Sequence, residues 1–234
     1  MNNSNAASIV SIRVLENEPN IENVQVHQRA PVSVKEIDAW EWKNAPFKLP
    51  QDMKTFFYTS DGFSLTWDMR DGDIVSPMGN MNINRLEQVQ RIESLPIPTV
   101  SCPPRTTPAG ASASMSPKDV ATRSDELGVF VLDRAMSSGT VALLYMHGPE
   151  QEPQVWFQDL NMSWNFVART FSDFFRLVLM NMGLPNWLYT FTGFNADPVT
   201  QIWLKRLCPH IVASAARPGS GAKRPPSGLR MKKR

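Results

Sequence analysis

The segment from Gln154 to Phe194 constrains the fold more than any other, because it joins a short strand pattern to a long helical one. Residues 154–160 combine β-branched and aromatic side chains and end at the turn-forming Asn161, which predicts a strand. Apolar residues then recur every three or four positions, which predicts a helix with one buried face: Val167, Phe171, Phe174, Phe175, Val178 and Met182. Gly183 and Pro185 are expected to end this helix near Met182.

The opposite side of the predicted helix is charged. Arg169, Asp173 and Arg176 are spaced by three or four residues, so opposite charges are neighbours on a solvated face. We expect this face and the turn at 183–185 to be open as contact surface. The apolar face carries no reactive group, so the block predicts packing and no catalysis.

The first half of the chain predicts helices at 6–15, at 33–44 and from Pro50 onward, with a strand at 24–27. Ser33 and Glu36 have the spacing of a capping box, in which each side chain satisfies an unpaired amide of the first helical turn. Asp61-Gly62 is expected to end the third helix. The side chains predicted to face inward are Ile37, Trp40, Trp42, Phe56, Phe57 and Tyr58.

Alternating patterns predict two β-hairpins, one on each side of a proline-rich segment. The first runs from Phe63 to Val75 through an Asp71-Gly72 turn, and the second joins strands at 129–133 and 140–146. A final helix is predicted from Asp197-Pro198, with Ile202, Trp203 and Leu207 on its apolar side.

These elements predict an α+β fold, with a mixed and mostly antiparallel sheet packed against helices. We expect a single domain formed by residues 1–95 and 121–212, interrupted by a Pro/Ser/Ala-rich insertion at 96–120 and followed by a basic tail at 213–234. Both interrupting segments are predicted to be disordered, because they bury too little apolar area to offset the cost of ordering. Since strands continue on both sides of the insertion, one sheet that crosses it is favoured over two domains.

Composition narrows the class of protein. Hydrophobic residues make up 42% of the 234 residues, which is enough to bury a core. No apolar run approaches the roughly 18 residues of a membrane span, and the N-terminus lacks the features of a signal peptide, which predicts a cytosolic protein. Cys102 and Cys208 suggest neither a zinc site nor a disulfide framework, so reduced thiols are expected.

The chain offers no group of residues suited to catalysis or to a cofactor. His27, His147 and His210 are not spaced as metal ligands, and the motifs of hydrolases, zinc proteases and nucleotide-binding loops are absent. Asp68, Asp71 and Asp73 could imitate a calcium loop, but Asp71-Gly72 is typical of a turn and no glutamate follows at the twelfth position. The seven tryptophans are mostly assigned to the core, with a groove lined by some of them as the alternative.

Charge is distributed unevenly along the chain. After Asp197 there are nine basic residues and no acidic one, whereas the preceding residues hold all 22 acidic residues against 15 basic ones. An acidic body with a basic tail predicts salt-sensitive attraction to polyanionic partners. The tail could be a solvated end, a nucleic-acid or nuclear-import patch, or a contact for an acidic protein surface. The absence of interleaved aromatic residues disfavours binding of single-stranded nucleic acid.

Motifs spread over most of the chain resemble a known family. They are Trp40-Glu41 with Asn44, Leu49-Pro50-x-Asp52 with Phe57-Tyr58, Gly62-Phe63, Thr66-Trp67, Ile74-Val75-x-Pro77-x-Gly79, Met81-Asn82-Ile83-Asn84, Val155-Trp156-Phe157-x-Asp159, Trp164-x-Phe166, Phe175-Arg176-Leu177, Gly183-Leu184-Pro185-x-Trp187 and Phe191-Thr192. The family is that of the non-catalytic subunit 2 of the tubulin polyglutamylase complex, in the SUKH superfamily with its cell-wall-assembly-regulator-like domain. The resemblance covers residues from about 6 to 207.

The resemblance implies a SUKH-like scaffold or adaptor that is not an enzyme and uses no cofactor. It implies a complex whose catalytic ligase adds glutamates to tubulin C-terminal tails, in the cytoplasm at microtubules, centrioles or basal bodies, and cilia. No nucleic acid or membrane span is expected. The residues expected to contact tubulin or the microtubule lie in the basic tail: Lys223, Arg224, Arg230, Lys232, Lys233 and Arg234.

Two other functions remain open at this stage. One is a different SUKH-type interaction module, such as a regulatory or immunity-type adaptor, which the motifs at 154–194 disfavour. The other is an enzyme in its own right, which the lack of a nucleophile and base pair disfavours.

Overall fold

A computed structural model describes residues 12–92, 127–135, 138–146 and 148–207. The predicted insertion at 96–120, the tail at 213–234, and the start of the first predicted helix therefore lie outside the described residues. The elements are α1 (residues 12–17), β1 (Ile21–Gln28), α2 (Val34–Lys43), α3 (Gln51–Phe57), β2 (Phe63–Asp71), β3 (Ile74–Ile83), β4 (Gly128–Ala135), β5 (Gly139–Tyr145), β6 (Gln154–Gln158), β7 (Trp164–Ala168), α4 (Phe171–Met180) and α5 (Pro198–Leu207). Short 3-10 helices lie at Leu86–Gln88 and Trp187–Phe191.

The described strands form two antiparallel sheets. The first has the order β1-β2-β3 and the second β4-β5-β6-β7. The two sheets meet where Asn84 N donates to Leu132 O at 3.0 Å and where residues 90–92 run antiparallel to β4. The predicted α+β class is confirmed, but the expectation of one sheet is wrong, because the 3-10 turn after β3 interrupts the ladder.

One hydrophobic core joins both sheets to the helices, so they form a single domain. Phe130 of β4 packs between Trp40 and Phe47, with ring centroids 5.1 and 5.6 Å away. On the first sheet, Phe63 packs edge-on against Phe175 of α4 at 5.6 Å. Aromatic contacts therefore hold α2 against the second sheet and α4 against the first.

Local chemistry explains the helix starts. Ser33 Oγ accepts from Glu36 N at 3.3 Å, and the Glu36 carboxylate accepts from Ser33 N at 2.7 Å, which confirms the capping box. The helix ends at Lys43 with Asn44 as its cap, as predicted. None of the described helices is long and apolar enough to cross a membrane.

The predicted long helix starts later than expected. Val167 belongs to β7, which the sequence analysis missed, and α4 begins only at Phe171. Thr170 caps it by accepting from Asp173 N at 3.1 Å. Val167 lies on β7, which pairs antiparallel with β6. Its fit to the helical spacing of α4 is therefore a coincidence.

Three side chains predicted to face inward are exposed instead. Trp42, Tyr58 and Ile202 expose 85%, 39% and 63% of their surface. On α5 the buried positions are Thr200, Leu204 and Leu207, so the inward face is rotated relative to the prediction. Ile37, Trp40 and Phe57 are buried as predicted.

Candidate interaction surfaces

Two partly buried carboxylates near α3, those of Asp52 and Asp61, hold the backbone in place. Asp52 accepts from Met53 N at 2.8 Å and from Ser172 N at 2.7 Å, which joins the starts of α3 and α4. Asp61 accepts from Arg85 Nε at 2.9 Å and from Leu86 N at 2.8 Å. The contact between Ser172 and Asp52 spans 120 residues and could not be predicted from the sequence.

Within the described residues, no group of three or more His, Cys, Asp or Glu side chains could hold a metal ion. Asp68 lies on β2 and accepts from Asn23 Nδ2 at 2.7 Å, while Gly72 has the left-handed φ of 61° that a tight hairpin turn requires. The loop of this hairpin is Gly72-Asp73, one residue later than the predicted Asp71-Gly72, because Asp71 still pairs with Ile74 at the end of the ladder.

Two contact surfaces were predicted from charge, the basic tail and the charged face of α4, and the structure describes only the second. The six basic tail residues from Lys223 to Arg234 lie outside the described residues, as do both cysteines, His147 and His210. On α4, Arg176 Nη1 pairs with Asp173 Oδ1 at 3.3 Å, and both side chains are about half exposed. This pair confirms the predicted solvated face for Asp173 and Arg176, whereas Arg169 is exposed but precedes α4.

The turn at 183–185 is mainly a packing element. Gly183 O accepts from Asn80 N of β3 at 2.9 Å, and Gly183 and Leu184 are buried. Only Pro185 is exposed. The expectation that this turn is open contact surface is therefore wrong for two of its three residues.

A cleft of about 670 Å³ lies between α2 and residues 85–91. Arg85 lines the cleft and pairs with Asp61 at 2.9 Å and with Glu87 at 2.8 Å. The hydrogen bond that Arg85 donates to Asp61 is the main reason that the pKa of Arg85 is raised. Lys43 lines the cleft without a carboxylate partner among the described residues. Because the cleft is open and carries both acidic and basic side chains, it is better suited to bind a polypeptide than a small anion.

Trp42 is the most exposed large apolar side chain in the described part of the chain, at 85%. It follows Trp40 by two residues, or about 200° around a helix of 3.6 residues per turn. Trp40 is inward and donates its indole N–H to Val89 O at 2.8 Å. The helical period therefore contained the signal that Trp42 faces solvent, and exposed tryptophan is the residue type most enriched at interface hot spots.

A second exposed apolar surface lies around α5. Phe194, Val199 and Ile202 expose 72%, 62% and 63% of their surface. Val199, Ile202 and Arg206 follow each other at helical spacing and share one side of α5. Asp197 caps the helix by accepting from Thr200 N and Oγ1, and these hydrogen bonds lower the pKa of its carboxyl group. We call Phe194, Val199 and Ile202 the α5 patch.

The chain is similar over most of its length to three curated proteins named tubulin polyglutamylase complex subunit 2. The relative from Rattus norvegicus is 26% identical over 204 residues, which cover 84% of this chain and 69% of the relative. Those from Mus musculus and Homo sapiens are each 29% identical over 84% of this chain, and the matches cover 69% and 67% of them. No protein-family model matches the chain. These relatives confirm the resemblance to subunit 2 of the tubulin polyglutamylase complex.

Proposed function

We propose that this relative of tubulin polyglutamylase complex subunit 2 is a non-catalytic scaffold subunit of such a complex, which supports glutamylation of tubulin C-terminal tails by a partner ligase. The observation that carries the proposal is similarity to three proteins of that name across 84% of the chain. A match over 84% of the chain is too long to rest on one motif.

The chemistry of the described residues supports a scaffold. The partly buried carboxylates of Asp52 and Asp61 are held by backbone amides and Arg85, which favours a structural use. A ligase would need a nucleotide site and a group that activates the attacking amine. We therefore assign catalysis to another subunit, and SUKH-type architecture remains part of this proposal.

Trp42 and the α5 patch are the surfaces that we propose for contact with other subunits. A solvent-exposed tryptophan gains much of its binding free energy when a partner covers its ring. Trp42 is 85% exposed, so its ring contributes little to the stability of the described fold. Burial of the ring against a partner would contribute to the free energy of binding. Burial of the three α5 patch side chains would act in the same way.

The basic residues Lys223, Arg224, Arg230 and those at 232–234 are proposed to contact acidic tubulin tails or the microtubule surface, at centrioles or basal bodies and in cilia. Attraction of this type weakens with ionic strength, since the charges are screened over about 8–10 Å at physiological salt. Removal of residues 213–234 should therefore reduce co-sedimentation with microtubules mainly at low salt. Unchanged co-sedimentation would remove the tail from the proposal.

The test of the scaffold is affinity capture of the tagged full-length chain with cross-linking, followed by glutamylation assays on the captured complex. We expect a tubulin ligase to co-purify, and activity to fall when the chain is omitted from the reconstituted complex. The isolated chain with ATP, glutamate and tubulin should be inactive. Capture without a ligase would contradict the scaffold, and activity of the isolated chain would contradict its non-catalytic role.

A further inference from the structure

The second sheet is apolar on both faces. Its inner face belongs to the main core, and its outer face carries the buried residues Val129, Ala142, Leu144 and Trp156. The described residues that pack with this outer cluster lie in the sheet itself or at its edge: Ile92, Leu127, Met146, Trp164 and Phe166. Ala142 and Leu144 are nevertheless fully buried, at 0% exposure. A sheet buried on both faces needs a covering element on each.

Hydrogen-bond donors on this face have no acceptor. Trp156 Nε1, Trp164 Nε1 and Gln158 Nε2 are buried and unpaired. Strand pairing places Trp164 opposite Gln158 and Phe166 opposite Trp156, so all four side chains share the outer face. Other indoles of this fold are satisfied, since Trp40 donates to Val89 O and Trp67 to Met182 O, each at 2.8 Å. Three unpaired donors beside aromatic rings therefore indicate an occupant that supplies carbonyl oxygens.

Proline-rich backbone has the matching chemistry. Proline lacks an N–H and favours the extended polyproline II conformation, which leaves its carbonyl oxygens free to accept. Aromatic-lined grooves recognise such segments in several classes of binding domain. In this chain the sequence Leu95-Pro96-Ile97-Pro98 begins three residues after Ile92.

The two described residues on either side of residues 93–126 lie at this face. Ile92 N donates to Val129 O at 2.9 Å on β4, and Ile92 packs with the outer cluster. After residues 93–126 the described chain resumes at Leu127, which packs with the same cluster. From Ile92 to β6 the distance across the sheet is three strand spacings, or about 14 Å. At about 3.1 Å per residue, a polyproline II segment covers this distance in four to five residues, which corresponds to Pro96 and Ile97.

We propose that residues 95–98 bind the outer face of the second sheet and accept hydrogen bonds from the indole N–H groups of Trp156 and Trp164. Leu95 and Ile97 supply apolar contacts to the cluster around Ala142 and Leu144. The proposal concerns only these four residues of the segment, and it is independent of the proposed scaffold function.

The test is solution NMR on the full-length chain with ¹⁵N-labelled tryptophan. Trp156→Phe and Trp164→Phe assign the two indole signals. In the parent protein we expect both to exchange slowly with D₂O. In a variant with residues 95–98 replaced by Ser-Gly-Ser-Gly, both signals should shift and exchange about tenfold faster, because the covering acceptors are lost.

Two controls keep the result specific. Replacing Pro103 and Pro104 by glycine changes a neighbouring proline pair and should leave both signals unchanged. The Trp67 indole, hydrogen-bonded to Met182 O, should stay protected in every variant and so reports that the fold is intact. If the Trp156 and Trp164 signals are unaffected by the 95–98 replacement while Trp67 stays protected, the proposal is overturned.

Discussion

The contact between the turn after α4 and strand β3 predicts a large loss of stability for Gly183→Ala. Gly183 has a φ of 66°, in the left-handed region that side chains disfavour. A Cβ added there would lie 2.6 Å from the carbonyl carbon of Asn80 and 2.7 Å from Met81 N. Both neighbours are backbone atoms of β3, so neither can move away without disturbing the strand.

The magnitude has two parts. A left-handed φ costs a non-glycine residue about 1–2 kcal/mol. Overpacking against fixed atoms costs about 1–3 kcal/mol more, for a total of about 2–5 kcal/mol. Gly72→Ala is the matched control, because Gly72 has a similar φ of 61° but no atom within 4 Å of the added Cβ. Gly72→Ala should lower the unfolding free energy only by the cost of the left-handed φ.

The measurement is urea unfolding of both variants and the parent, followed by tryptophan fluorescence and analysed at equal m-values. The Asn80 N to Gly183 O hydrogen bond, at 2.9 Å, should also be weakened, which faster amide exchange at Asn80 would report. If Gly183→Ala is no more destabilising than Gly72→Ala, the close approach of the turn to β3 does not constrain this position, and the reasoning fails.

Three further predictions test other contacts. Glu36→Gln should destabilise the protein near neutral pH, and its difference from the parent should vanish on acidification in urea titrations. The reason is that hydrogen bonds from Ser33 lower the pKa of Glu36 in the folded state, so its contribution is present above the unfolded pKa and lost as pH falls through the folded one. Asp52→Ala should cost about 1–3 kcal/mol of unfolding free energy, because it leaves the Ser172 amide unpaired, and hydrogen exchange should speed up there. Trp42→Ser should change unfolding free energy by less than about 0.5 kcal/mol but reduce recovery of the ligase in affinity capture; full recovery would exclude Trp42 from the interface.

Local chemistry explains which elements the sequence predicts well. The Ser33 capping box, the hairpin turn at Gly72, placed to within one residue, and the left-handed Gly183 depend on residues within a few positions of each other. The start of α4 was also locally encoded, because Thr170 stands three residues before Asp173 and caps the helix. The apolar spacing that extends back to Val167 concealed this cap, and strand β7 was missed with it.

Long-range contacts explain the rest. The division into two sheets depends on how residues 84–92 run along β4, although more than 35 residues separate Asn84 from β4 in sequence. The bond from Ser172 to Asp52 depends on tertiary packing in the same way. No periodicity within one segment specifies such contacts, because register and sheet order are decided by packing between segments.

The errors about burial point to the surfaces that we propose for contact with other subunits. Trp42, Tyr58 and Ile202 were expected in the core because each is apolar and adjoins residues with a helical pattern of burial. The helical period itself, however, turns Trp42 away from Trp40. The hydrophobic core is formed by other residues. For an enzyme, function would be sought among reactive groups in a cavity, but a scaffold acts through area that its own fold leaves uncovered. Large apolar side chains that the fold leaves exposed, such as Trp42 and Ile202, are therefore the positions where substitution is expected to separate binding from stability.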